Sequence, residues 1–221
     1  MKFIKNIYSW GCQHPRTLIF LPIIALVSSV CFVQILDKTQ IKRKKPIEYI
    51  IVHYTANNSE SADAKMNAIY LRNKHAAGTH YCVDDTDVIQ CTKEDMVAYA
   101  IGDAYWKGFT PKPWLLNPNG TRRVLNHNSL SYEMCLGGSR NDSIIIETTA
   151  QMVGWQLVNK GLDISRVLRH HDVTGKPCPK FFYDGLKWQQ EKEDSMFNVF
   201  LGKVKHYQMI HIERKRLMKS R

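Results

Sequence analysis

From residue 46 onward the apolar residues fall in short alternating or continuous runs, separated by polar stretches rich in glycine and proline. The run "IEYIIVHYT" (47–55) is dense in β-formers and too short for a stable helix, so it predicts a buried strand ending near His53. In "SADAKMNAIYLRNKHAAG" (61–78), Met66, Ile69 and Tyr70 share one helical face, and the pattern stops at Gly78. "THYCVD" and "DVIQC" predict a hairpin around an acidic turn, and "SLSYEMCL" (129–136) alternates with the period of a strand. Ile146, Ala150, Val153 and Leu157 form the stripe of a second helix, and "RVLRH" reads as another short strand. Met196, Phe197, Phe200, Leu201 and Val204 predict a last helix over about 183–204. Residues 104–128 hold Gly108, Pro111, Pro113, Pro118 and Gly120 and predict a long loop, which in a compact domain is more often functional than idle. Strands and helices interleave without internal repeats, so the expected class is α/β, a mixed central β-sheet flanked by helices.

Upstream, "TLIFLPIIALVSSVCFVQIL" (17–36) runs for 20 residues without a charge, the length of a membrane-crossing helix. Pro22 is tolerable in such a helix. A cleaved signal peptide is the rival reading, but no small-x-small cleavage pattern is evident. The expected organisation is therefore a basic N-terminal segment (1–16), a transmembrane anchor or signal (17–36) and a basic linker (37–46). A folded domain (47–201) and a basic tail (202–221) follow.

The formal net charge of +11 is unevenly spread: residues 1–45 sum to +7, residues 46–201 to −2 and residues 202–221 to +6. A near-neutral body argues against a nucleic-acid groove, so no nucleic-acid partner is expected. Basic ends suit an anionic membrane surface. Lys2, Lys5 and Arg16 precede the span while Lys38, Lys42, Arg43, Lys44 and Lys45 follow it, which by charge alone would keep the domain in the cytoplasm. The six cysteines (12, 31, 82, 91, 135 and 178) show no C-x-x-C spacing and do not read as a disulfide framework. Cys82 and Cys91 flank the acidic turn and are expected as buried free thiols. The Asn119-Gly-Thr sequon carries no weight by itself.

The chemistry concentrates where strands end. His53 and His170 each close a predicted strand, and Cys178 follows eight residues after His170, between Pro177 and Pro179 in "RHHDVTGKPCPKFF". Two imidazoles and a thiolate are good zinc ligands, and three protein donors leave a fourth position open, the arrangement of a catalytic site. Taken singly, a strand histidine is usually a satisfied core or surface residue and a lone cysteine is usually inert. On residues alone Cys178 stays open between metal ligand, nucleophile and small buried residue in a turn.

The ordered set "IIVHYTA", "GTHYCVDDTDVIQ", "VAYAIGD", "NHNSLSYEMCL" and "VLRHHDVTGKPCP" resembles the type-2 N-acetylmuramoyl-L-alanine amidases, zinc amidases related to peptidoglycan recognition proteins and some phage lysozymes. The resemblance covers about residues 47–190, and its most specific part is the final His-x7-Cys-Pro segment. It implies that fold, a zinc ion held by His53, His170 and Cys178, and His171 as neighbour and not ligand. Lys176 matches an active-site lysine of the family, and Glu133 a glutamate that acts in some members as acid/base. His127 lies in the segment that borders the substrate groove in relatives, with Tyr54, Trp106 and Trp114 as further candidates for its wall. One departure is Thr79, where many relatives carry an active-site tyrosine before the histidine. His80 is expected as a strand residue.

The implied activity is zinc-dependent hydrolysis of the amide between N-acetylmuramic acid and L-alanine, in a monomer held in the cell envelope by its N-terminal helix. Its domain would face the periplasmic or extracellular side, because peptidoglycan lies there. A secreted form, and action on soluble muropeptide fragments, stay open. Two other classes compete: a non-catalytic peptidoglycan-binding module, whose members typically lack the cysteine ligand, and a membrane protein whose basic ends bind nucleic acid or anionic lipid.

Overall fold

The run at 47–55 becomes strand β3 (Tyr49–Tyr54), with five of its six residues buried. In the computed structural model, which describes residues 30–36, 41–73, 77–102, 104–181 and 189–220, β3 sits between two parallel partners. In chain order the other strands are β1 (Cys31–Gln34), β2 (Ile41–Lys42), β4 (Tyr81–Val83), β5 (Asp87–Gln90), β6 (Met96–Val97), β7 (Ser129–Met134) and β8 (Val167–Arg169). The helices are α1 (Ala64–Arg72), α2 (Asp142–Lys160), α3 (His170–Thr174) and α4 (Gln190–Lys219). The main sheet has the order β1-β5-β4-β7-β3-β8 and is mixed: β4 and β5 form the antiparallel hairpin, and every other neighbour is parallel. A separate ribbon pairs β2 with β6.

Period-two alternation assigns the two faces. Ile50 and Val52 of β3 and Leu130, Tyr132 and Met134 of β7 join Ile145, Ala150 and Val153 of α2 and Phe197, Phe200 and Val204 of α4 in one core. Each such aliphatic side chain contributes about 2 kcal/mol by leaving water, enough to fix the strand register. The close approach of α2 and α4 depends on Gly154, where a Cβ would stand 2.8–2.9 Å from Gln208 N, Val204 O and Tyr207 Cβ. Tyr49 and Ile51 face the other way and pack with Ile101, Leu115, Val124, Leu168 and Val173. The loop at 104–128, with single 3₁₀ turns at Pro113–Leu115 and Asn126–Asn128, therefore covers the face opposite α2 and α4.

Several expectations are corrected. Helix α1 buries Ala64 and Ala68 against Cys82, Ile89, Cys91 and Cys135, while Met66, Ile69 and Tyr70 are exposed. Alanine permits close packing on the sheet yet carries little hydrophobic signal, so the apolar periodicity marked the wrong face. The last helix does not end near 204: α4 continues to Lys219, so the expected division at 201/202 falls inside it. No proline interrupts that stretch. His170 begins α3 and does not end β8.

The N-terminal expectations divide. Residues 17–29 of the predicted span lie outside the described residues, whereas Cys31–Gln34 is a strand paired in parallel with β5 and not the end of a helix. Among the described residues no helix is long and apolar enough to cross a membrane. Nor is the basic stretch after the span only a linker, because Lys42 lies in β2 and Arg43 is built into the domain. Its guanidinium donates to the carbonyls of Glu94, Met96, Asn126, His127 and Ser129 at 2.7–3.3 Å. These bonds tie β6 to the entry of β7. Arg43→Met is expected to cost about 3 kcal/mol, since five carbonyls lose a charged donor, and urea unfolding measures it.

As expected, Cys82 and Cys91 are buried free thiols, their sulfurs 3.6 Å apart.

Candidate metal centre

Three adjacent parallel strands, β7, β3 and β8, end on the same side of the sheet, which is where open α/β sheets collect their functional groups. His53 is in register with Glu133, and both belong to the loop-covered face. Arg169 closes β8 and passes the chain directly into His170. That junction is stiff: the Asp172 carboxylate accepts from Arg169 N at 2.9 Å and pairs with its guanidinium at 2.8 Å. Arg169 also reaches Asp194 of α4 at 2.7 Å and lies over the Phe197 ring.

The result is a compact donor cluster. His53, His170 and Cys178 are each at least 96% buried, and one ligand atom from each lies within 4.8 Å of the others. His53 Nδ1 stands 3.1 Å from His170 Nδ1 and 3.9 Å from Cys178 Sγ. A tetrahedral zinc with nitrogen and sulfur donors at about 2.0–2.3 Å separates its ligands by roughly 3.3–3.6 Å, close to these spacings.

The electrostatics suit a cation as well. Burial first, then the charge of Lys176, pushes His170 down to about 3. Burial, with His170 and Lys176 adding to it, holds His53 well below its ordinary value. Both rings are therefore neutral, the state in which imidazole binds metal. Burial, and after it Glu133, pushes the Cys178 thiol far up, a bias that a bound cation inverts. The residues present thus fit a zinc ion in donor type, spacing and charge.

Around the cluster the other predicted residues take distinct places. Glu133 Oε1 is 3.9 Å from His53 Nδ1, while Oε2 is buried without a hydrogen-bond partner. Burial raises its carboxyl to about 7, against the opposing charge of Lys176. Lys176 is exposed, yet its charge acts on His53, Glu133, His170 and Cys178 alike. Tyr54 meets the cluster through its backbone, hydrogen-bonded to the Cys178 thiol. His171 stands outside the donor set, its Nδ1 3.2 Å from Gly175 O and its ring against Phe109. His127 is half-buried in the 3₁₀ turn before β7, its carbonyl held by Arg43 at 2.7 Å. Thr79 is buried with its hydroxyl donating to Ser131 O at 3.0 Å, so it does not replace a tyrosine in the site. His80 is pushed down to about 3 by burial and by Arg43, and its ring is held by Ser131 and Met96.

A separate cleft of about 820 Å³ lies beside the cluster, lined by Phe109, Trp114, Arg123, Arg166, His171 and Asp172 among others. None of the three donors or Glu133 is in its wall, so Trp114 faces this cleft and not the cluster.

Residues 43–181 match the family model described as N-acetylmuramoyl-L-alanine amidase. The chain belongs to this family. It is 30% identical over 152 residues to N-acetylmuramoyl-L-alanine amidase CwlA of Bacillus subtilis, covering 66% of this chain and 47% of that protein. To CwlH of the same organism it is 26% identical over 137 residues, covering 62% of this chain and 48% of the relative. The chain thus spans about half the length of the curated relatives it matches. Among solved structures it resembles the catalytic domain of XlyA with a TM-score of 0.58 and 22% identity, over 79% of this chain and 99% of that one. It also resembles the Staphylococcus aureus hydrolase AmiA in complex with its ligand, with a TM-score of 0.61 and 14% identity, over 87% and 92%. At these identities the structural likeness is one of fold.

Within this amidase-family fold, the cysteine loop rests on contacts that no short-range sequence pattern marks. Gly175 has φ +80°, and a Cβ there would stand 2.3–2.5 Å from the Phe109 ring and its Cβ. Trp106 N donates to Thr174 O at 2.7 Å, and His171 N to Cys178 O at 2.8 Å. The long loop thus clamps α3 and the turn that presents Cys178. The glycine before Lys176 was a visible signal, but its partner lies more than sixty residues earlier.

Proposed function

We propose that this chain is a zinc-dependent N-acetylmuramoyl-L-alanine amidase that hydrolyses the amide joining the lactyl group of N-acetylmuramic acid to L-alanine in peptidoglycan. The observation that carries the reading is the convergence of His53, His170 and Cys178, with Glu133 3.9 Å from His53, in a family-matched domain. Zinc bound by the three donors would supply Lewis acidity and a water acidic enough to attack near neutral pH.

The chain's own groups do the rest. Glu133 takes the proton of the attacking water and returns it to the departing nitrogen of L-alanine, so one C–O bond forms as the C–N bond breaks. Lys176 meets the negative charge that develops on the carbonyl oxygen, a role typically worth about 3 kcal/mol. Tyr54 and His127 border the approach of the substrate. All of these residues come from one chain, so a monomer suffices. An amidase of this kind acts outside the cytoplasmic membrane, where peptidoglycan lies, on the polymer or on its soluble fragments.

Mass spectrometry of digested peptidoglycan tests the reading: peptides with a free N-terminal alanine and glycan with an intact lactyl carboxylate are the expected products. Binding to peptidoglycan without these products would point instead to a recognition module. Glu133→Gln is expected to lower kcat by about 10²–10⁴-fold while zinc content stays at the wild-type level, read by steady-state assay and metal analysis.

A further inference from the structure

Helix α4 outlasts the family region. The match ends at residue 181, whereas α4 runs over Gln190–Lys219, a rod of about 45 Å. Its core side, with Phe197, Phe200 and Val204, packs on α2, and Gln208 still donates to Leu162 O at 3.3 Å. His211 is the last buried residue, and from 212 to 220 every residue is exposed except the half-buried Arg214.

The solvent side is patterned. Lys205, Met209, Ile212, Arg216 and Lys219 recur at steps of four, three, four and three, which keeps them in an arc of about 80°. Met209 is 58% and Ile212 44% exposed, so two large apolar side chains lie among the cations of that arc. Over 202–221 the chain carries seven Lys/Arg against the single acid Glu213. Lys203 is spent on Glu147, and Arg216 lies 3.2 Å from Glu213, but Lys205, Lys215 and Lys219 face solvent.

We propose that this face docks the domain on an anionic lipid bilayer, its cations against the headgroup phosphates and Met209 and Ile212 entering the interface. Charge complementarity supplies the attraction, which falls off within a Debye length. The apolar side chains decide between occupants. A nucleic acid or another soluble polyanion is met by cations alone, whereas large apolar residues in the same arc as the cations match a surface with hydrocarbon beneath its charge. Because the Phe197, Phe200 and Val204 face of α4 lies outside this arc and remains on α2, docking requires no rearrangement of the core.

The test is sedimentation of the full chain with vesicles of phosphatidylcholine alone or with one third phosphatidylglycerol. At least tenfold stronger binding to the anionic vesicles, weakening as salt rises, is expected. The triple variant K205E/R216E/K219E should lose most of that preference, and M209S/I212S should bind the anionic vesicles several-fold more weakly. Any contribution of the apolar stretch 17–36 appears equally on neutral vesicles, and that of the basic residues 1–45 is common to the wild type and both variants, so the loss on mutation reports the helix face alone. Unaltered zinc content and melting temperature in both variants show that the fold is intact. The proposal is overturned if the charge-reversed chain prefers anionic vesicles as strongly as the wild type does. Duplex DNA competing fully with the vesicles, with M209S/I212S binding like the wild type, overturns it equally, because the face is then a general polyanion site.

Discussion

Replacing Cys178 with serine is expected to weaken zinc binding at least a hundredfold and to reduce alanine release by about a thousandfold or more. Loss of a hydrogen-bonding neighbour of a metal ligand commonly costs ten- to a hundredfold in affinity, so loss of a donor itself sets a higher floor. A serine hydroxyl does not ionise in a site this buried, and it leaves His53 and His170 as a two-nitrogen set with neighbouring Nδ1 atoms. The fold should persist, because the turn is held through the Cys178 carbonyl and His171 N, a bond that serine retains. Equilibrium dialysis with zinc and a thermal melt on the same sample separate the two effects. A variant that melts like the metal-free wild type yet binds no zinc is the expected pair of results. Zinc bound as tightly as in the wild type would remove Cys178 from the donor set.

The second large effect is expected at Gly175, which never touches the metal donors. Gly175→Ala combines a positive φ, costing about 1 kcal/mol, with a methyl group driven into Phe109, for a total near 3 kcal/mol. The two costs can be separated. Gly120 has φ +78° and open space around its Cβ position, so Gly120→Ala reports the backbone cost alone. In a Phe109→Gly background, which removes both the ring and the Cβ that the added methyl would meet, the Gly175 substitution should approach that smaller value, and the difference is the coupling energy of the clamp. Urea unfolding of the wild type and the four variants makes the measurement. Equal costs at Gly120 and Gly175 would mean that Phe109 does not restrain the cysteine loop. Because the clamp holds the turn that presents Cys178, Gly175→Ala should weaken zinc binding as well.

These two sites also mark how far the chain could be read before its structure. In β7 the alternation of Ser129, Ser131 and Glu133 with Leu130, Tyr132 and Met134 encodes both the strand and its two faces, because a half-buried strand must separate them. The order His53, His170, Cys178 was visible through the family resemblance, and the parallel register of β7, β3 and β8 explains why such distant residues meet. Elsewhere the local signal was ambiguous or silent. Cys31–Gln34 sits in an uncharged run that suits a strand as well as a membrane helix, and pairing with β5 makes it an edge strand of the sheet. Arg43 looked like one of four consecutive cations, and its five carbonyl partners belong to segments 51 to 86 residues away. The Phe109–Gly175 contact is equally non-local, and the buried face of α1 is written in alanines.

The most direct test of the account couples the metal to the reaction in one titration. The full chain is stripped of metal with a chelator, zinc is added back in fractions of an equivalent, and new N-terminal alanine is counted from purified peptidoglycan. The account predicts an inactive stripped protein whose activity rises in proportion to zinc and levels off at one ion per chain. Alanine release that survives stripping, or one bound zinc with no alanine released, would contradict it.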